Sequence, residues 1–452
     1  MLVPLSTLDQ LLGRTGITMG YVIKSVDNAT LEAAGKRVVD KWRLLAGRLE
    51  RNPSTSMWSI RVPLEGEVSD RLQFTTSKLA VELDAPIIPV DAMSSEILVR
   101  PDLKYFRHPS TPNSMSAFSS SNAPILFIHV TELSNCACVG ISVPHGVFDA
   151  FGLGQIIRSL DAELNGKAWT PPPFSETNIM DETLQELKAA APLYTNEPAA
   201  LIDVKRELVP PSLTNVACIG ADIAYEYLWQ KAEVKAVYLG ENVVDEMVRK
   251  VKDEVKSFGT GFVSTGDIIV AWFLKTAYLR ETDKNAVYVS TMVSIRSPLE
   301  EKNPAFNSYT HNCLMPCCCP SLSKEEIASK SLAELAVIHR KAIDDMRNIP
   351  FIQAYNHWVA KIGGVAMPTR RRGADSWVFS NQIVGHLDEI DFGSEMSAFW
   401  HWNLPFAVDH SVILNKFKGG YIIEAVVRRS RWEAVAEEVE RMKKGENALR
   451  VQ

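Results

Sequence analysis

The hydrophobic positions along this chain recur with two periods, and the two alternate. Leu31, Ala34, Val38, Val39, Trp42, Leu45 and Leu49 return every three to four residues, which predicts a helix over 29–49 closed by Leu45-Ala46-Gly47-Arg48. The same period predicts helices over 151–164, 243–256, 324–347 and 432–444. Ser264-Thr265-Gly266-Asp267 is a capping signal ahead of a further helix over 268–279. Apolar or alternating runs predict strands through Tyr21 and Ile23 and over 58–62, 86–90, 125–130, 136–143, 287–295 and 378–384. A hairpin over 412–427 turns at Gly419-Gly420.

Two stretches interrupt the pattern. Residues 108–124, rich in Ser, Pro and Asn, read as surface loop, and a polar stretch over 168–215 punctuated by prolines reads as a linker. Strands and helices mix without strict alternation. The expected architecture is therefore α/β with two domains of similar size, 1–170 and 216–452, joined by a crossover at 171–215.

Composition narrows the function classes. Lys and Arg number 48 against 54 Asp and Glu, a net charge of −6 over 452 residues, which argues against a nucleic-acid surface. No run reaches the ~18–20 unbroken apolar residues of a membrane span, and Met1 to Gln10 carries neither the basic nor the apolar region of a secretory leader. Seven cysteines form an odd set, which favours a reducing compartment over a disulfide framework, so a cytoplasmic protein is expected. Cys317-Cys318-Cys319 invites a metal reading, but no second pair stands at zinc spacing. These three read as small buried side chains, and no metal is expected.

The chemistry concentrates in Pro144-His145-Gly146-Val147-Phe148-Asp149, between a buried-strand pattern and an amphipathic helix. A His with Asp four residues on is weak by spacing alone, although no other histidine in the chain has one. Its place on a tight turn is what a rigid scaffold needs to expose a reactive side chain, while a hydrogen-bonded core histidine is the plainer reading.

Further landmarks stand in order along the chain: Leu5-Ser6-Thr7-Leu8-Asp9-Gln10, Leu45-Ala46-Gly47-Arg48-Leu49, His145 to Asp149, Ser264-Thr265 heading a helix, Ile295-Arg296-Ser297, and Asp391-Phe392-Gly393. Together they resemble the HxxxD acyl-CoA-dependent acyltransferases, the BAHD family and its fungal relatives, within the chloramphenicol acetyltransferase-like superfamily. Two departures are visible. Ala150 follows the motif Asp where the family usually has Gly, and the family's DFGWG signature is cut to Asp391-Phe392-Gly393-Ser394-Glu395.

The resemblance implies two chloramphenicol acetyltransferase-like domains, each a mixed sheet flanked by helices, with the active-site channel between them. It implies a monomer that takes acyl-CoA as co-substrate and a small-molecule acceptor, with no tightly bound cofactor. His145 would be the general base, and Asp149 would turn away to pair with Arg296 and hold the turn, with Asp391 and Gly393 as further support. The oxyanion donor is expected near 380: Ser380 first, Asn381 or Gln382 second. Ser264 and Thr265 would meet the donor's anionic part or serve simply as a helix cap, and Arg370-Arg371-Arg372 would meet a nucleotide phosphate or remain solvated loop. Phe399-Trp400-His401-Trp402 would pack into the core or line an acceptor pocket. His311, His357 and His386 are treated as structural. Two competing readings keep the pocket: a CoA-independent cyclase or isomerase using His145, and a silent metabolite-binding scaffold.

Overall fold

The computed structural model describes residues 1–12, 15–64, 67, 71–84, 95–190, 198–210, 212–259, 261–281, 283–362, 367–368, 374–403 and 410–444. Two large sheets organise them. The first has five strands in the order Met396–Asn403, Gly16–Ile23, Ala137–Pro144, Phe127–Glu132 and Gln73–Lys78. The second has eight strands and runs Leu314–Cys318, Ala286–Ser294, Asp375–Asn381, Ser411–Phe417, Gly420–Arg428, Ala232–Leu239, Ser95–Val99, with Leu322–Ser323 pairing to one side. Each sheet mixes parallel and antiparallel neighbours.

Helices cover the sheets where the apolar periods place them. Asn28–Lys41 and Ala150–Leu164 lie together over the first sheet, burying Leu31, Val38, Val39, Leu153, Ile156 and Ile157 in one core. Thr265–Tyr278 is buried on every side beneath the second sheet, flanked by Leu332–Met346 and Arg429–Lys443. Such all-round burial matches its unbroken apolar sequence rather than an amphipathic one. The two sheets exchange strands. Met396–Asn403, from late in the chain, edges the five-stranded sheet, and Ser95–Val99, from early in it, edges the eight-stranded one. The turn 145–149 also meets the second half, through Arg296 on Asp149 and Asn312 on His145.

The structure redraws several sequence-predicted elements. The helix expected over 29–49 ends at Lys41, and Arg43–Ala46 forms a short 3-10 turn before the strand Arg48–Arg51. Gly47 follows that turn where the chain passes close to the next strand, because a Cβ there would stand 2.3 Å from Ile60. The helix expected over 324–347 is two helices, Lys324–Ser329 and Leu332–Met346, each opened by its own capping box (Ser323 with Glu326, Ser331 with Glu334). Within the expected loop 108–124, Ser114 caps a helix Met115–Ser120 that buries Met115 and Phe118.

The expected linker holds Ile179–Ala190 and Ala199–Glu207, which bury Met180, Leu184, Leu201 and Val204 against a third core with Ile295, Phe306 and Tyr355. The helices Leu213–Leu228 and Ile349–Ile362 answer to no predicted element, whereas the aromatic run 399–402 lies in a strand, Met396–Asn403. The run 86–90 lies outside the described residues. Among those described, no helix is long and apolar enough to cross a membrane.

Candidate active site

The strand Ala137–Pro144 is buried along its whole length, and the chain leaves it through His145 into the helix Ala150–Leu164. Backbone bonds fix that turn. His145 N donates to Thr15 O at 2.9 Å, and Asn312 Nδ2 donates to His145 O at 2.8 Å. The imidazole is half-buried, and its Nδ1 lies 3.2 Å from Phe148 O. A carbonyl only accepts, so Nδ1 carries the proton and Nε2 keeps its lone pair. Burial lowers the affinity of His145 for a second proton, while its own backbone, Asp149 and the Phe148 carbonyl act the other way. His145 is therefore the neutral imidazole that a general base requires.

Asp149 points into the opposite side of the turn and is fully buried. Its Oδ1 accepts from Gly152 N at 3.1 Å, capping the helix, and from Arg296 Nη2 at 2.9 Å, while its Oδ2 accepts from Cys313 N at 3.1 Å. Arg296 spends its other donors on Tyr309 O and His311 O, at 2.9 and 2.8 Å, and lies 4.4 Å from the Phe151 ring. Burial works against the Arg296 charge, but Asp149, Cys313 and Tyr309 together raise the guanidinium above its ordinary range. The pair joins the turn 145–149 to the second half of the chain.

A second brace was not recognised in the sequence. Asp9 is fully buried, and its Oδ1 accepts from Asn312 N at 2.9 Å and Asn312 Nδ2 at 3.0 Å. Its Oδ2 accepts from Ser6 N and Ser6 Oγ, both at 2.8 Å. Burial pushes this carboxyl up to about 7 against those four bonds. Asn312 thus links Asp9 to the carbonyl of His145. Asp9 stood within the Leu5–Gln10 landmark, but nothing local to it names a partner 303 residues away. His311 is structural, as expected: its Nδ1 meets Val147 O at 3.0 Å, and burial lowers it to about 4.

The remaining predicted residues fall in different places. Ser380 is half-buried, on the face of its strand opposite the core residues Trp377 and Phe379. Asn381 spends its Oδ1 on Ile383 N at 3.1 Å, and its Nδ2 stands 2.7 Å from where a Gly266 Cβ would be. Ser264 caps the helix Thr265–Tyr278 in a capping box with Asp267, and Arg340 donates to both at 2.9 and 2.6 Å. Asp391 Oδ1 closes a turn on Gly393 N at 2.8 Å, with Gly393 at φ +72°, and Asp391 N donates to Asp161 at 2.9 Å. That turn seats Phe392 against Tyr21, ring centroids 5.3 Å apart, and feeds the strand Met396–Asn403. Phe399, Trp400 and Trp402 join the core. Arg370 to Arg372 lie outside the described residues.

Among the described residues one group is spaced to hold a cation, Glu226, Asp375 and His410. Arg428 already sits 2.6 Å from Glu226, and Arg431 donates to His410 Nε2 at 2.6 Å and also meets Asp375. Guanidinium groups fill the role of a metal there. The lowered His145 has a measurable consequence. The acid limb of its reactivity, followed as modification by diethyl pyrocarbonate across pH, should lie below the usual imidazole midpoint near 6.5. A midpoint at or above that value would mean that burial does not dominate.

Residues 2–442 match the family model described as Transferase family, and the chain belongs to that family, the BAHD-type transferases. It is 24% identical over 411 residues to Acetyltransferase pyiB of Pyricularia grisea, covering 86% of this chain and 78% of that one. It is 23% identical over 299 residues to Acetyltransferase BOT5 of Botryotinia fuckeliana, covering 62% of this chain and 52% of the relative, about half its length. In fold it is similar to TRI101 of F. sporotrichioides, solved with coenzyme A and T-2, with a TM-score of 0.67 at 15% identity over 95% of this chain and 96% of that one.

Proposed function

We propose that this protein transfers an acyl group, most simply acetyl, from acyl-CoA to a hydroxyl or amine of a small secondary metabolite. The single observation that carries this is the His145 tautomer: Nδ1 is committed to Phe148 O and Nε2 is left to accept, on a turn clamped from both halves of the chain. His145 Nε2 takes the acceptor proton as the acceptor attacks the thioester carbonyl. The tetrahedral intermediate collapses, and the imidazolium returns that proton to the departing CoA thiolate. No acyl-enzyme forms. Family membership and relatives named as acetyltransferases support the reading.

Ser380 stabilises the oxyanion, supported by its half-buried place on the inner face of its strand, with Asn381 in the second rank. Ser380→Ala should lower kcat more than it raises KM for acyl-CoA; the reverse split would make Ser380 a binding residue. Ser264 and Thr265, with Arg340 beside them, mark the corner that receives the anionic end of CoA.

Thermal shift against CoA, acetyl-CoA and longer acyl-CoAs tests the donor. A thioester at ~100 times its Kd should stabilise the fold by about 2.7 kcal/mol. No shift with any of them would favour CoA-independent use of His145.

A further inference from the structure

Three buried polar groups on the facing sides of the two sheets have hydrogen-bonding atoms that find no partner in the protein. They are His401 Nδ1, Glu424 Oε2 and Asn415 Nδ2, on residues 2%, 4% and 1% exposed. Buried polar atoms are ordinarily satisfied, so three together call for a cause. His401 and Glu424 meet where the two sheets touch. His401 lies on the edge strand Met396–Asn403, and the eight-stranded sheet clamps its peptide from outside: His401 N donates to Glu424 Oε1 at 2.9 Å, and Arg100 Nη1 donates to His401 O at 2.9 Å.

Strand register shows what lies beside this clamp. Met292, Ser380, Ile413 and Glu424 stand opposite one another in one row across four strands. Asn415, two residues on from Ile413, shares that face. Met292, Ser380 and Ile413 are half-buried and Glu424 is buried, so the row passes from accessible to enclosed and ends on a carboxyl. Burial, and after it the charge of His145, opposes protonation of the His401 imidazole, so the two rings are within electrostatic reach of each other. A row of mixed apolar and polar side chains therefore runs along one face of the sheet and ends on the Glu424 carboxyl, which meets the His401 peptide.

We propose that His401, Glu424 and Asn415 form a second recognition point for the acceptor, holding a hydroxyl or carbonyl oxygen other than the group that is acylated. The acceptor class that fits bears at least two oxygen functions on one framework. Burial raises Glu424 to about 7, so this carboxyl can donate as well as accept near neutrality. The inference rests on His145 as the base of acyl transfer.

The test is calorimetric binding of two matched terpenoids, the diol sclareol and its mono-ol relative manool, with CoA present throughout. Sclareol should bind at least ~10-fold more tightly, the value of about one buried hydrogen bond. Glu424→Gln and His401→Phe should each shrink that ratio toward one while the thermal shift by CoA stays as in the unaltered protein. Equal affinities, no binding of either terpenoid, or a ratio that survives both substitutions would overturn the proposal and assign the three groups to ordered water. Loss of the CoA shift in the unaltered protein would instead overturn the donor reading. Should either variant fail to fold, the ratio measured on the unaltered protein still decides.

Discussion

Replacing Arg296 by Ala should destabilise the protein by about 3–5 kcal/mol, the cost of stranding a buried charge. Asp149 is fully buried, and Arg296, at 2.8 Å, is the only cation that meets it among the described residues. Its other partners, the backbone amides of Gly152 and Cys313, are neutral. The same substitution frees the carbonyls of Tyr309 and His311, and His311 in turn supports Val147 within the catalytic turn. Loss of folding energy and displacement of the turn should therefore come together. Chemical denaturation measures the first. A loss below ~1 kcal/mol would show that two amides suffice to hold the carboxylate and that the pair is only a registering contact.

Asp149→Asn separates these parts. It removes the charge but keeps an oxygen able to cap Gly152. A lower melting temperature together with lower activity would confirm a positioning role. An unchanged melt with lost activity would make Asp149 chemical instead.

How much of this was legible in the sequence depended on the range of the interaction. The His145–Asp149 turn, the helix behind it and the Ser264 cap could be read because a strand, a turn and a helix follow one another within a few residues. The breaks in 29–49 and 324–347 were written locally too: Ser323 with Glu326 and Ser331 with Glu334 are two capping boxes in succession, and apolar period alone fused them. The strand exchange was not legible. Ser95–Val99 pairs with Ala232–Leu239, and Met396–Asn403 with Gly16–Ile23, and no local propensity names a partner at such distances. The roles of Asp9 and Asn312 were missed for the same reason, since each acquires its place only through that assembly. The prolines of 168–215 read as linker, although they bound helices whose apolar faces complete a third core.

His145→Ala should abolish acyl transfer by at least ~10²-fold, followed as thiol release from acetyl-CoA, and leave the fold in place. The side chain contributes one bond, Nδ1 to Phe148 O, whereas the turn is held by main-chain atoms: His145 N on Thr15 O and His145 O under Asn312. Truncation at Cβ removes neither of these, so the melting temperature and the CoA-dependent shift should survive. Retained turnover would mean that another group takes the proton, and the surroundings offer little. His311 has Nδ1 tied to Val147 O and is lowered by burial to about 4, and His401 is lowered to about 3 by burial and by the charges of His145 and Arg100. Near neutrality both are far weaker bases than an ordinary imidazole. The loss expected at His145 is therefore large, because neither of these two histidines can stand in for it.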